Sequence, residues 1–264
     1  MVFRPIMRPR CLYALSLAAL VALAASCSTP VAEGEVGHDE GHWDSAGGNP
    51  THATHSYMAE VAVKTVRAEH PEVVTYQTSI VEGANMELHD LAIAKDPAAE
   101  ALRLEIGGNN WAADHPEILW DKARASYEAG DKAQAYRYVG MLMHYVQDMG
   151  VPAHAFHVIH QSSAGNWDHI ELLGFFDFHA DLEARLPANP ELSDPVSYLE
   201  WSAQTARDQF TAAFPGETYH RKFFPQNYDA MTDVHWAFLR QREAYCTWGT
   251  AFALRSAARA FAAL

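Results

Sequence analysis

From His55 to the last residue, apolar side chains recur at the three-to-four-residue spacing of helices, and no stretch alternates apolar and polar residues between turn dipeptides as a strand would. That pattern confines the chain to an all-helical architecture. Segment 55–69 sets Met58, Val61, Ala62 and Val66 on one side, with Thr54 placed to cap its start. A second predicted helix covers 71–82 and stops at Gly83. Segments 116–128 and 132–149 read as a helical hairpin turned by Ala129-Gly130-Asp131, and further helices fit 167–185, 195–214 and 229–264. No internal repeat is present. The expectation is a single all-α domain over 51–264, a helical bundle.

Ahead of it, Arg4, Arg8 and Arg10 precede an apolar run over 12–25, shorter and differently flanked than a membrane span. Residues 1–27 therefore read as an export signal. The run ends in Ala24-Ala25-Ser26-Cys27, small residues before a cysteine, as at a bacterial lipoprotein processing site. The expected destination is the cell envelope, anchored through a lipidated Cys27, or the exterior after ordinary cleavage nearby. Segment 28–50 is rich in Gly, Glu, Asp, His and Ser without apolar periodicity, and reads as a flexible tether or pro-segment. With Cys11 in the leader and Cys27 at the processing site, Cys246 is left alone, so no internal disulfide is expected.

Nineteen Lys and Arg against 33 Asp and Glu give a formal charge of −14, which repels nucleic acid and anionic bilayers unless a cation sits in the site. No stable nucleic-acid partner is expected, and the chain reads as a monomer. Histidine is abundant, fifteen in 264 residues, and imidazole is the commonest metal-binding side chain.

The strongest local signal is His144-Tyr-Val-Gln-Asp148-Met-Gly-Val-Pro-Ala-His154. His144 and Asp148 stand four apart on a helix that is otherwise apolar around them, with Met141, Leu142, Met143 and Val146, so both project from one face. Gly150 and Pro152 then end the helix, and the turn brings His154 back toward that face. Nitrogen and carboxylate donors converging on one point suit Zn²⁺, and a carboxylate is able to bridge two ions. The same pair also fits a buried histidine and aspartate satisfied by hydrogen bonding. In Phe178-His179-Ala-Asp-Leu-Glu183, His179 and Glu183 again share a helical face, with His169 and Glu171 as the competing donors. Upstream, His55 opens a helix, and Glu87, His89 and Asp90 crowd a stretch just after the break at Gly83.

Together these segments resemble the zinc-dependent phospholipase C family, which includes the bacillary phosphatidylcholine-preferring enzymes and the catalytic domain of clostridial alpha-toxin and is akin to the fungal single-strand nucleases. That family's central motif is reproduced in order and spacing by His144, Asp148, Pro152 and His154. The lead-in around Ser126-Tyr127-Glu and Asp131-Lys-Ala-Gln-Ala-Tyr-Arg-Tyr-Val-Gly140 also looks like the family's. The resemblance implies an all-helical hydrolase holding up to three zinc ions. It would place His154, His179 and Glu183 on one ion and His144 and Asp148 on a second, with Asp148 bridging to a third that His55 and Trp43 complete. It further implies that a zinc-activated water attacks a phospholipid or other phosphodiester, with a carboxylate accepting the proton.

The chain departs from the family pattern in three places. Leu88 stands where the family has an aspartate, so Glu87, as ligand and general base, or Asp90 takes that place. The family's His-Phe-x-Asp-Pro segment is replaced by His89 with Asp96-Pro97 following, or by His115. The span from His154 to His179 is longer than in the short phospholipases. Trp43 binds through a free amine only if the chain is cut before it, which competes with processing at Cys27. Two other readings stay open: a nuclease or phosphatase of the same fold, and a non-catalytic zinc-binding lipoprotein using His38, His42, His52 and His55.

Overall fold

The computed structural model describes residues 54–85, 114–156, 158, 185–225 and 227–264. Among these, the secondary structure is helical throughout and contains no strand, as the apolar periodicity predicts. In chain order the helices are α1 (Thr54–Val66), α2 (Glu72–Thr75), α3 (Gln77–Ala84), α4 (Asp114–Glu128), α5 (Lys132–Met149), α6 (Pro152–Ala155), α7 (Ser197–Ala213) and α8 (Asp233–Phe261). A 3₁₀ turn, Tyr228–Ala230, precedes α8. The leader over 1–27, the tether over 28–50 and nearly all of the predicted helix over 167–185 lie outside the described residues.

Local chemistry accounts for the turn between α4 and α5 and for the start of α8. Between α4 and α5, Gly130 takes φ +84°, and Asp131 then caps α5 by accepting from the backbone N–H of Gln134 at 3.2 Å. Thr232 caps α8 in the same manner, its hydroxyl accepting from His235 N–H at 3.4 Å while His235 Nδ1 accepts from Thr232 N–H at 3.1 Å.

Several boundaries differ from expectation: α1 includes Thr54, read as its cap, and ends at Val66 rather than at 69, and α8 starts at Asp233 rather than at 229. Two further differences have a packing cause. The predicted helix 71–82 is broken at Tyr76, whose ring stacks on Tyr136 at 5.1 Å between centroids. Gly83 does not stop the second piece but lies inside α3 and is buried. A Cβ there would meet the Arg137 carbonyl oxygen at 2.2 Å, and one on Gly140 would meet the Ile80 carbonyl oxygen at 2.2 Å. The two glycines thus let α3 and α5 approach backbone to backbone, and their role is packing rather than termination.

Helix α5 is the hub. It packs against α3, α4, α7 and α8, and its residues from Val139 to Gln147 are buried without interruption. Helix α8 covers α1, α5 and α7, and its C-terminal half buries small and apolar residues almost all round, as expected of an element enclosed on most sides. The main core joins Val63, Val66, Ile80, Val139, Val146, Trp248, Phe252 and Phe261. A second, aromatic core gathers Phe210, Phe214, Tyr219, Phe224 and Phe238. Among the described residues no helix is long and apolar enough to cross a membrane.

Candidate metal centre

Three helices assemble the candidate site. Helix α1 contributes His55 in its first turn, α5 contributes His144, Gln147 and Asp148, and α3 contributes the carbonyl of its last residue, Ala84. His55 and His144 are 4% and 2% exposed, so neither imidazole is a surface decoration. Their rings stack with centroids 4.1 Å apart and planes inclined by 22°. One ligating atom each from His55, His144 and Asp148 falls within 4.8 Å of the others.

The hydrogen bonds around the rings decide which nitrogen faces inward. Ala84 is among the last carbonyls of α3, which a helix leaves without an intrahelical donor. Its oxygen lies 2.9 Å from His144 Nδ1. A carbonyl only accepts, so Nδ1 carries the hydrogen, and Nε2, which is unprotonated whenever the ring is neutral, faces Asp148 Oδ2 at 3.2 Å. The Gly83–Gly140 contact makes this reach possible by holding α3 against α5 one residue away. His55 repeats the arrangement with a different acceptor: its Nδ1 meets the side-chain oxygen of Gln147, and its Nε2 lies 3.6 Å from Asp148 Oδ1.

Each oxygen of one carboxylate therefore faces the Nε2 of a different histidine. Lone pairs confronting an ionised carboxylate repel, so the cluster calls for positive charge among the three groups. Protonating both imidazoles would set two cations about 4 Å apart, a repulsion of roughly 4 kcal/mol at an effective dielectric of 20. A divalent ion would supply the charge without that repulsion, and two imidazole nitrogens with a carboxylate are donors that several divalent transition ions accept. The Asp148 carboxyl is held below the usual carboxylate range. Burial opposes this, and what lowers it is positive charge on the imidazoles, His144 first with its hydrogen bond and then His154 and His55, so the carboxyl stays ionised there only beside a cation, whether imidazolium or metal.

His154 sits on α6, immediately after the Gly150 turn and Pro152, and is buried. The turn thus delivers it near enough to act on Asp148, although it stands outside the three-donor group. Behind this turn lies Arg242 of α8, fully buried, donating from Nε to the Gly150 carbonyl at 2.8 Å and from Nη1 to Gln209 Oε1 at 2.8 Å. A Cβ on Gly150 would meet Cys246 Sγ at 2.2 Å, so the turn must be glycine. Burial pushes the Cys246 thiol up to about 11.

Of the residues singled out by sequence, His55, His144 and Asp148 come together and His154 lies close by. His115 falls in the first turn of α4. Trp43, Glu87, His89, Asp90, His169, Glu171, His179 and Glu183 lie outside the described residues. Sequence reasoning missed Gln147, the Ala84 carbonyl and Arg242. The first was signalled only by its position beside Asp148, and a backbone acceptor leaves no trace in residue identity. Comparison of the chain with protein-family models, with curated proteins and with solved structures finds no match.

Proposed function

We propose that this protein is a metal-dependent phosphate-ester hydrolase whose centre includes His55, His144 and Asp148, with zinc as the metal and phospholipid as the favoured substrate class. The observation that carries the reading is the pair of Nε2 atoms directed at the two oxygens of one partly buried carboxylate. The resemblance of the His144–His154 segment to the zinc-dependent phospholipases C supports the chemistry and the substrate class. A divalent ion bound there supplies a Lewis acid for a phosphoryl oxygen and generates the nucleophile from water near neutral pH.

The chain's own residues do the rest. Asp148 turns one oxygen toward each imidazole and would hold the metal together with His55 and His144. The Ala84 carbonyl and the Gln147 amide oxygen fix both rings by their Nδ1 atoms, which sharpens their orientation and basicity as ligands. His154, with His179 and Glu183, would complete a further position, and Glu87 or Asp90 would accept the water's proton. A chain of charge −14 admits an anionic ester when bound cations offset the repulsion.

The test is turnover of a chromogenic phosphodiester by purified protein, metal-stripped and then titrated with zinc, followed by release of phosphocholine from phosphatidylcholine vesicles. Activity that appears with zinc and is lost in Asp148→Asn is expected. Saturation with zinc and no turnover of any ester would overturn the reading and leave metal capture as the function. Mononucleotides from single-stranded nucleic acid, with nothing released from vesicles, would assign a nuclease.

A further inference from the structure

The geometry points to Gln147 as a positioning residue of the metal centre, its amide oxygen holding His55 with Nε2 aimed at Asp148. This rests on the metal-site reading above and adds a residue to it. Gln147 and Asp148 are consecutive on α5, so their side chains leave the helix in directions about 100° apart. They reach the His55 ring from two sides: the Gln147 oxygen takes Nδ1, and Asp148 Oδ1 lies 3.6 Å from Nε2. A single turn of α5 therefore presents a ligand carboxylate and also orients the imidazole brought by α1.

Three observations separate this role from simple packing. Gln147 is 2% exposed, and its amide nitrogen is buried without a hydrogen-bond partner. Burying half of an amide unsatisfied is unfavourable, and packing alone would be served better by an apolar side chain. Gln147 meets Nδ1 and not Nε2, so the ring nitrogen on the Asp148 side, 3.6 Å from Oδ1 and beyond hydrogen-bond length, is the one directed into the candidate site. His144 has the same arrangement, with the Ala84 carbonyl in the place of the amide oxygen. Both rings are thus prepared alike, one by a backbone group and one by a side chain that can be exchanged.

The experiment is calorimetric titration of the full chain with zinc chloride for wild type, Gln147→Leu and Gln147→Glu. It is paired with the ring ¹⁵N shifts of His55 in the metal-stripped proteins at one fixed pH. The leucine variant should bind zinc about 10–100-fold more weakly, and its His55 should show a mixture of tautomers where wild type shows the Nδ1–H form. Glutamate, which restores the acceptor, should recover wild-type affinity or exceed it. A purely structural residue would lower melting temperature but move neither affinity nor tautomer. If the leucine variant fails to fold, Gln147→Asn, whose shorter amide does not reach Nδ1, should show the same weakening. Wild-type affinity in the leucine or asparagine variant, or equal losses in the leucine and glutamate variants, would overturn the proposal. Wild type that binds no zinc would overturn it together with the proposed function. Zinc binding modulated by Gln147 but without ester turnover would remove only the proposed function.

Discussion

Asp148 is the residue on which both imidazoles converge, and its charge rather than its shape is what the arrangement uses. Asp148→Asn keeps the volume and one hydrogen-bonding oxygen but removes the negative charge. It should lower zinc content more than any other single change, with affinity falling by more than the roughly 10–100-fold typical of residues that only support a ligand; elemental analysis of the purified variant checks this. Cys246 illustrates the opposite case of a reactive group kept silent. Fully buried behind the Gly150 turn, with its thiol pushed up to about 11, it stays protonated at pH 8. Iodoacetamide at that pH should leave the Cys246 peptide unmodified until the chain is denatured, as read by mass spectrometry. At this scale the sequence was informative where side chains act in pairs. His144 and Asp148 were legible because a four-residue spacing on an apolar helix leaves them one common face. His55 entered through the family resemblance, since a single histidine at a helix start carries no geometric information of its own. Gln147 was illegible because its role depends on α1 packing against this part of α5, a contact between residues 92 positions apart.

At the scale of elements, the approach of α3 to α5 positions the Ala84 carbonyl under His144. Gly140→Ala places a methyl 2.2 Å from the Ile80 carbonyl oxygen, and backbone gives way less readily than a side chain. The substitution should cost about 1–3 kcal/mol, lowering the melting temperature by roughly 2–4 °C for each kcal/mol, and should weaken zinc binding as the Ala84 carbonyl shifts. Gly130→Ala, in the open turn at φ +84°, should destabilise without touching zinc affinity. The contrast explains why one glycine was read correctly and another was not. Gly130 precedes a capping aspartate and follows a helical run, which is local punctuation. Gly83 looks the same from its neighbours alone, and only the helix crossing reveals that it serves contact. The break at Tyr76 was hidden likewise, because the ring that faces it, Tyr136, lies sixty residues downstream.

At the scale of the molecule, periodicity was sufficient for the all-helical class because every long apolar segment repeats at helical spacing and none competes as a strand. It could not foretell which helix forms the centre. Helix α5 takes that place because its run from Val139 to Gln147 is buried on every side, which withdraws His144 from water and leaves Asp148, just past the run, 13% exposed. That withdrawal is why a lone carboxylate facing two imidazoles demands a cation, and so the whole account depends on an ion between α1 and α5. X-ray diffraction from crystals grown with zinc, recorded on both sides of the zinc absorption edge, tests this most directly. The account predicts an anomalous peak within about 2.0–2.2 Å of the Nε2 atoms of His55 and His144 and of an Asp148 oxygen, as one ion or as two bridged by the carboxylate. Fully ordered side chains at these three positions with no anomalous density among them would contradict it.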